Sequence, residues 1–155
     1  MWRQRKNKME LKKKQLNILL ADDDLDDRTF FEKALKEITI DTKLKTVADG
    51  EQLMNYLNEN IEQLPDVLFL DINMPRKNGY ECLAEIKHHE KLKDLAVVML
   101  STTNEIDKTT QTFKAGANIF IHKPSSYDEL KLVILHSLPI AANRGTVKYI
   151  FNAKV

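Results

Sequence analysis

Cysteine is almost missing from this chain. Cys82 is the single one among 155 residues, which excludes an intrachain disulfide and any all-cysteine metal cluster and fits a reducing compartment. An excess of one charge is missing too. The 24 Lys and Arg against 23 Asp and Glu leave a formal net charge of +1, so nothing chain-wide favours nucleic acid or a membrane surface as partner. No stretch approaches the roughly 20 apolar residues that a bilayer-spanning helix needs. The basic start, Met1-Trp2-Arg3-Gln4-Arg5-Lys6-Asn7-Lys8, lacks the apolar segment of a secretory signal. A cytoplasmic protein is expected.

What is present is enough for one domain with its own core. Hydrophobic residues make up 43% and charged residues 30%, a globular balance, and a chain of this length buries roughly two-thirds of its unfolded surface without metal or disulfide staples. Residues 1–15 are rich in Lys and Arg and read as a flexible basic arm, with Met9 an alternative start. Residues 16–139 read as the folded domain, and 140–155 as a tail. Within the domain, short apolar runs at Leu16–Ala21, Leu44–Ala48, Asp66–Leu70, Leu95–Leu100 and Asn118–His122 have the length of strands. Being apolar on consecutive positions, they suit parallel strands covered on both faces.

Helical spacings lie between and after these runs. They are carried by Phe30, Ala34 and Ile38, by Leu53, Leu57 and Ile61, by Leu83 and Ile86, by Ile106, Thr110, Phe113 and Ala117, and by Leu130, Val133, Ile134 and Leu138. Turn signals separate the segments: Asp49-Gly50, Asn78-Gly79, Ala115-Gly116, and prolines 65, 75, 124 and 139. Asn104 and Ser126 stand where helix N-caps belong. The pattern predicts five βα units, hence an α/β fold with a parallel sheet between two helical layers. The tail segment Thr146-Val147-Lys148-Tyr149-Ile150-Phe151 has strand composition, and it could pack on the last helix, pair with a sheet edge or mediate a contact.

That framework sends particular polar residues to one rim. Asp22-Asp23-Asp24 follow the first strand, Asp71 the third, Ser101-Thr102-Thr103 the fourth and Lys123-Pro124 the fifth, and sites in such sheets lie at the carboxyl ends of strands. Asp22, Asp23 and Asp71 would repel one another, and a hard divalent cation relieves that conflict. All-oxygen ligation favours Mg2+ or Mn2+, or calcium, over zinc. Asp71 is then a candidate nucleophile toward phosphorus, with the Lys123 ammonium and the Ser101 hydroxyl as donors to a phosphoryl group. The first turn is Asp-rich rather than Gly-rich, which gives flavin or dinucleotide binding little support.

These residues resemble the receiver domain of two-component response regulators. The resemblance rests on Asn17-Ile18-Leu19-Leu20-Ala21-Asp22-Asp23-Asp24, Leu68-Phe69-Leu70-Asp71-Ile72-Asn73-Met74-Pro75, the Asn78-Gly79 turn, Val97-Val98-Met99-Leu100-Ser101-Thr102 and Phe120-Ile121-His122-Lys123-Pro124. It covers about Leu16 to Leu138. It implies a flavodoxin-like (βα)5 doubly wound sheet of order 2-1-3-4-5, with Asp71 phosphorylated by a histidine kinase, by a histidine phosphotransfer protein or by a small phosphodonor such as acetyl phosphate. It implies a divalent metal held by Asp23, Asp71 and the main-chain carbonyl of Asn73, with Asp22 acting through a metal-bound water. Ser101 and Lys123 would bind the phosphoryl oxygens, and the Lys123-Pro124 bond would be cis. Ser101 and an aromatic at position 120 would form the switch, remodelling the surface of the fourth helix, fifth strand and fifth helix. Ser101 stands where Thr is commoner, and Phe120 where Tyr is frequent, so no phenol OH carries the signal.

The implied function is a stand-alone, phosphorylation-operated response regulator, a monomer or weak homodimer, signalling through protein–protein contact rather than acting as a conventional enzyme. Two other readings compete. A phosphorylation-independent pseudo-receiver would not need the acidic set, Ser101 or Lys123. A haloacid-dehalogenase-type phosphohydrolase needs a second carboxylate two residues after its nucleophile, and Asn73 is there instead. Asp24, Asp26 and Asp27 read simply as partners of a helix N-terminus. Cys82 reads as a packing residue, and His88, His89, His122 and His136 lack metal-ligand spacing.

Overall fold

The computed structural model describes residues 14–102, 106–144 and 150–151. Strands and helices alternate: β1 (Leu16–Ala21), α1 (Leu25–Glu37), β2 (Thr42–Val47), α2 (Gly50–Glu59), β3 (Val67–Asp71), α3 (Gly79–His88), β4 (Ala96–Ser101), α4 (Ile106–Lys114), β5 (Ile119–His122), α5 (Tyr127–Ala142) and β6 (Ile150–Phe151). The sheet order is β2-β1-β3-β4-β5-β6. Every pairing is parallel, so the expected five-strand order holds, with a sixth strand added at the β5 edge.

The central strands explain the layering. All five residues of β3 and all six of β4 are buried, because side chains alternate between two covered faces. Leu68, Leu70, Val97, Met99 and Phe120 pack with Leu53 and Leu57 of α2 and with Cys82, Leu83 and Ile86 of α3. Phe69, Val98, Leu100 and Ile121 pack on the other face, against Phe31, Ala34 and Leu35 of α1 and Val133, Ile134 and Leu138 of α5. Each of the Val, Leu, Ile, Phe and Met side chains among these contributes about 1.5–3 kcal/mol on burial.

Helix starts follow local chemistry. Asp24, Asp49, Asn78 and Ser126 cap α1, α2, α3 and α5, each accepting a backbone N–H three residues on. Asn78 and Glu81 complete a capping box. Asn104, the cap expected for α4, lies outside the described residues, as does most of the basic arm.

Some expectations need correcting. β2 begins two residues early and alternates between exposed and half-buried positions rather than running apolar throughout, because it is an edge strand whose Lys43 and Lys45 face solvent. Pro139, read as a turn signal, lies inside α5. Full burial of Leu138 and Ala141 on either side of it outweighs the hydrogen bond that proline removes. No cis peptide occurs among the described residues, so Lys123-Pro124 is trans, the default for X–Pro, and the chain enters the Ser126-capped helix without the rarer isomer.

Candidate functional site

The strand ends meet at the crevice between β1 and β3, where the chain order reverses direction across the sheet. Short backbone bonds carry the ladder to the rim. The Asp22 N–H donates to the Val47 carbonyl (3.1 Å), the Ile72 N–H to Leu100 (3.0 Å) and the Lys123 N–H to Ser101 (2.7 Å). Asp22, Asp23 and Asp71 therefore each present a carboxylate oxygen within 4.8 Å of the others. Asp22 and Asp71 are buried, 2% and 3% exposed, whereas Asp23 is open to solvent.

Each acid is held differently. Asp22 Oδ1 accepts the Asp24 N–H at 3.0 Å, and Arg28 Nη1 donates to the Asp22 carbonyl at 2.8 Å. Asp71 Oδ1 accepts the Asn73 N–H at 3.3 Å. Beneath Asp71, α3 arrives at close quarters: the Gly79 N–H donates to the Ile72 carbonyl at 2.8 Å, and a Cβ on Gly79 would lie 2.7 Å from Ile72 Cα. Between Asp71 and Gly79 the chain turns through Arg76 in the left-handed region (φ 67°).

Lys123 is the cation of this rim. Its Nζ lies 2.9 Å from Asp22 Oδ2, 3.0 Å from Asp27 Oδ2 and 3.5 Å from Asp71 Oδ2. Burial opposes its charge, but Asp71, Asp22 and Asp27 outweigh that and hold the ammonium pKa above its ordinary value. Burial pushes the Asp71 carboxyl up to about 7, Lys123 pulling it down and Asp22 adding to the rise. Burial likewise raises Asp22, against the Asp24 N–H and Lys123.

Of the residues singled out in the sequence, Asp22, Asp23, Asp71 and Lys123 converge. Ser101 sits fully buried at the end of β4, beside the strand that carries Asp71. Asn73, two residues after Asp71, is exposed. Phe120 is 1% exposed and belongs to the core. Sequence reasoning missed two members. Asp27 reaches Lys123 instead of only flanking a helix start, and Arg28 braces the backbone of Asp22. The available signal was their place in the first turn of α1, which begins at the rim.

The donors fit a hard divalent ion: three carboxylates at one point, one of them open to water, and no sulfur or imidazole among them.

The sequence model of the response regulator receiver domain matches residues 18–135. The chain belongs to that family. Response regulator Rcp1 of Synechocystis sp. is 33% identical over 117 residues, spanning 73% of this chain and 80% of Rcp1. Among solved structures, the Mn2+-bound form of Rcp1 matches with TM-score 0.70 and 31% identity, over 78% of this chain and 90% of that one. The phosphorylated cyanobacterial phytochrome response regulator RcpA matches with TM-score 0.76 and 31% identity, over 86% and 98%. Receiver domains are signalling domains rather than conventional enzymes, which disfavours the phosphohydrolase reading. Among the described residues no helix is long and apolar enough to cross a membrane.

Proposed function

We propose that this receiver domain accepts a phosphoryl group on Asp71 from a histidine kinase or histidine phosphotransfer protein and passes the signal on by protein–protein contact. The observation that carries the reading is Lys123, held 3.5 Å from Asp71 in a rim where three carboxylates converge. An Asp71 oxygen attacks phosphorus as the bond from phosphorus to the donor nitrogen breaks, and the electron pair leaves with the donor imidazole. Lys123 turns a proton toward the phosphoryl oxygens, and Ser101, one strand away, offers its hydroxyl. Asp22, Asp23, Asp71 and the Asn73 carbonyl would hold Mg2+ or Mn2+; the convergence of the three carboxylates and the Mn2+-bound form of the similar Rcp1 support a divalent ion here. When bound, the ion supplies positive charge that offsets carboxylate repulsion and the charge on the transferring group.

Self-catalysed transfer and hydrolysis at Asp71 are then the only chemistry asked of the chain. Phe120 already fills the core, so its part in the switch is packing against β4 rather than swinging in from solvent. The test is intact mass after incubation with acetyl phosphate and Mg2+. One added phosphoryl in the parent and none in Asp71→Asn is expected. No addition in the parent would favour an interaction module that works without phosphorylation.

A further inference from the structure

We propose that Asp27 is a positioning residue for Lys123: it holds the ammonium in the unphosphorylated site and competes for it with the phosphoryl group. This rests on Asp71 as the phosphoacceptor. A carboxylate in the first turn of α1 is favourable anywhere around that helix start, so dipole chemistry alone does not require contact with Lys123. Asp27 makes that contact all the same, Oδ2 to Nζ at 3.0 Å, shorter than the 3.5 Å from Lys123 to Asp71.

The position of Nζ makes this a competition. An ammonium has three N–H bonds. Asp22 and Asp27 take two at hydrogen-bond distance, and Asp71 is left at a distance too long for a good hydrogen bond. One N–H is left for phosphoryl oxygens on Asp71, but drawing Nζ toward them lengthens its contacts to Asp22 and Asp27. Asp27 is the candidate to be released. Its side chain is 46% exposed and water can replace the lysine, whereas the Asp22 side chain is 3% exposed and would be left buried without its cation. Asp27 also lies outside the acidic trio, so it can hold Lys123 without disturbing a metal there. No bond to phosphorus changes at Asp27; it acts through the position of Lys123.

Asp27→Asn keeps the size and removes the charge. A half-exposed ion pair corresponds to at most about a fivefold change in an equilibrium. The expected result is a steady-state ratio of phosphorylated to unphosphorylated protein, at limiting acetyl phosphate, that rises by about threefold to fivefold. The Lys123 ammonium resonance, identified by its loss in Lys123→Met, should shift in Asp27→Asn before any phosphodonor is added. Asp27→Glu, which keeps the charge, should restore most of the parent behaviour. An unchanged ratio and an unmoved lysine signal, with normal phosphorylation of the parent, would overturn the role of Asp27 alone. An equal effect of Asn and Glu would also overturn it, by showing that shape matters and charge does not. A parent that takes up no phosphoryl group would overturn the acceptor reading, and this one with it.

Discussion

Lys123 brings a positive charge to the buried acids of the rim, and two predictions follow from that at the scale of single residues. Removing it as Lys123→Met leaves Asp22 and Asp71 buried with no counter-charge. At neutral pH without divalent metal this should cost about 1–3 kcal/mol of stability. Added Mg2+ should recover most of that, measured by urea unfolding with and without the ion, and a variant as stable as the parent without metal would contradict the pairing. The second concerns pH. Asp71 has a folded-state pKa raised to about 7, against about 3.9 in an unfolded chain. The folded state keeps a proton that the unfolded state releases, so stability falls as pH rises from about 4 through 7. Asp71→Asn carries no such charge. It should be more stable than the parent at pH 8 by ~2–4 kcal/mol and converge on it near pH 4, and equal stabilities at pH 8 would remove the argument. The acids, Lys123 and Ser101 were legible in the sequence because strand ends fix where such residues fall. Asp27 was not, because a carboxylate at a helix start already has a sufficient reason to be there.

At the scale of elements, the site depends on how closely α3 approaches the end of β3. Gly79 has no room for a side chain between them. Gly79→Ala should therefore cost about 1–3 kcal/mol as an overpacking change and slow phosphorylation of Asp71 more than that loss explains, because the displaced backbone is that of Asp71 and Ile72. Asn78→Ala removes the capping box one residue earlier and should cost about 1 kcal/mol while leaving phosphorylation near parent level. Thermal melts beside mass-resolved phosphorylation separate the two, and similar kinetic defects in both variants would contradict the distinction. Element order and type were legible because two buried faces impose continuous apolar runs on β1, β3 and β4. The ends were less so. Lys43 and Lys45 disguise β2, since an edge strand meets water on one side, and Pro139 disguises the last turn of α5, since burial of Leu138 and Ala141 is decided by tertiary contacts that a local pattern does not contain.

At the scale of the whole molecule, the sheet ends at β6 rather than β5. Ile150 pairs with Phe120 and Phe151 with Ile121, so backbone groups that would have formed an open edge find partners. Strand composition in the tail was visible, but its partner was not, because a two-residue strand has no register of its own until an edge offers one. Deleting residues 145–155 should leave the five-strand core folded and Asp71 still phosphorylated, while exposing the β5 edge. Sedimentation velocity is expected to show more self-association than in the parent, and identical profiles would mean that β6 shields nothing.

The position of β6 separates two properties of the molecule that usually travel together. Asp71 ends β3, and Asp22, Asp23 and Lys123 come just after β1 and β5, whereas β6 comes after the last helix and lies alongside the strand that leads to Lys123. The site residues and the cover over the β5 edge thus lie in separate stretches of chain.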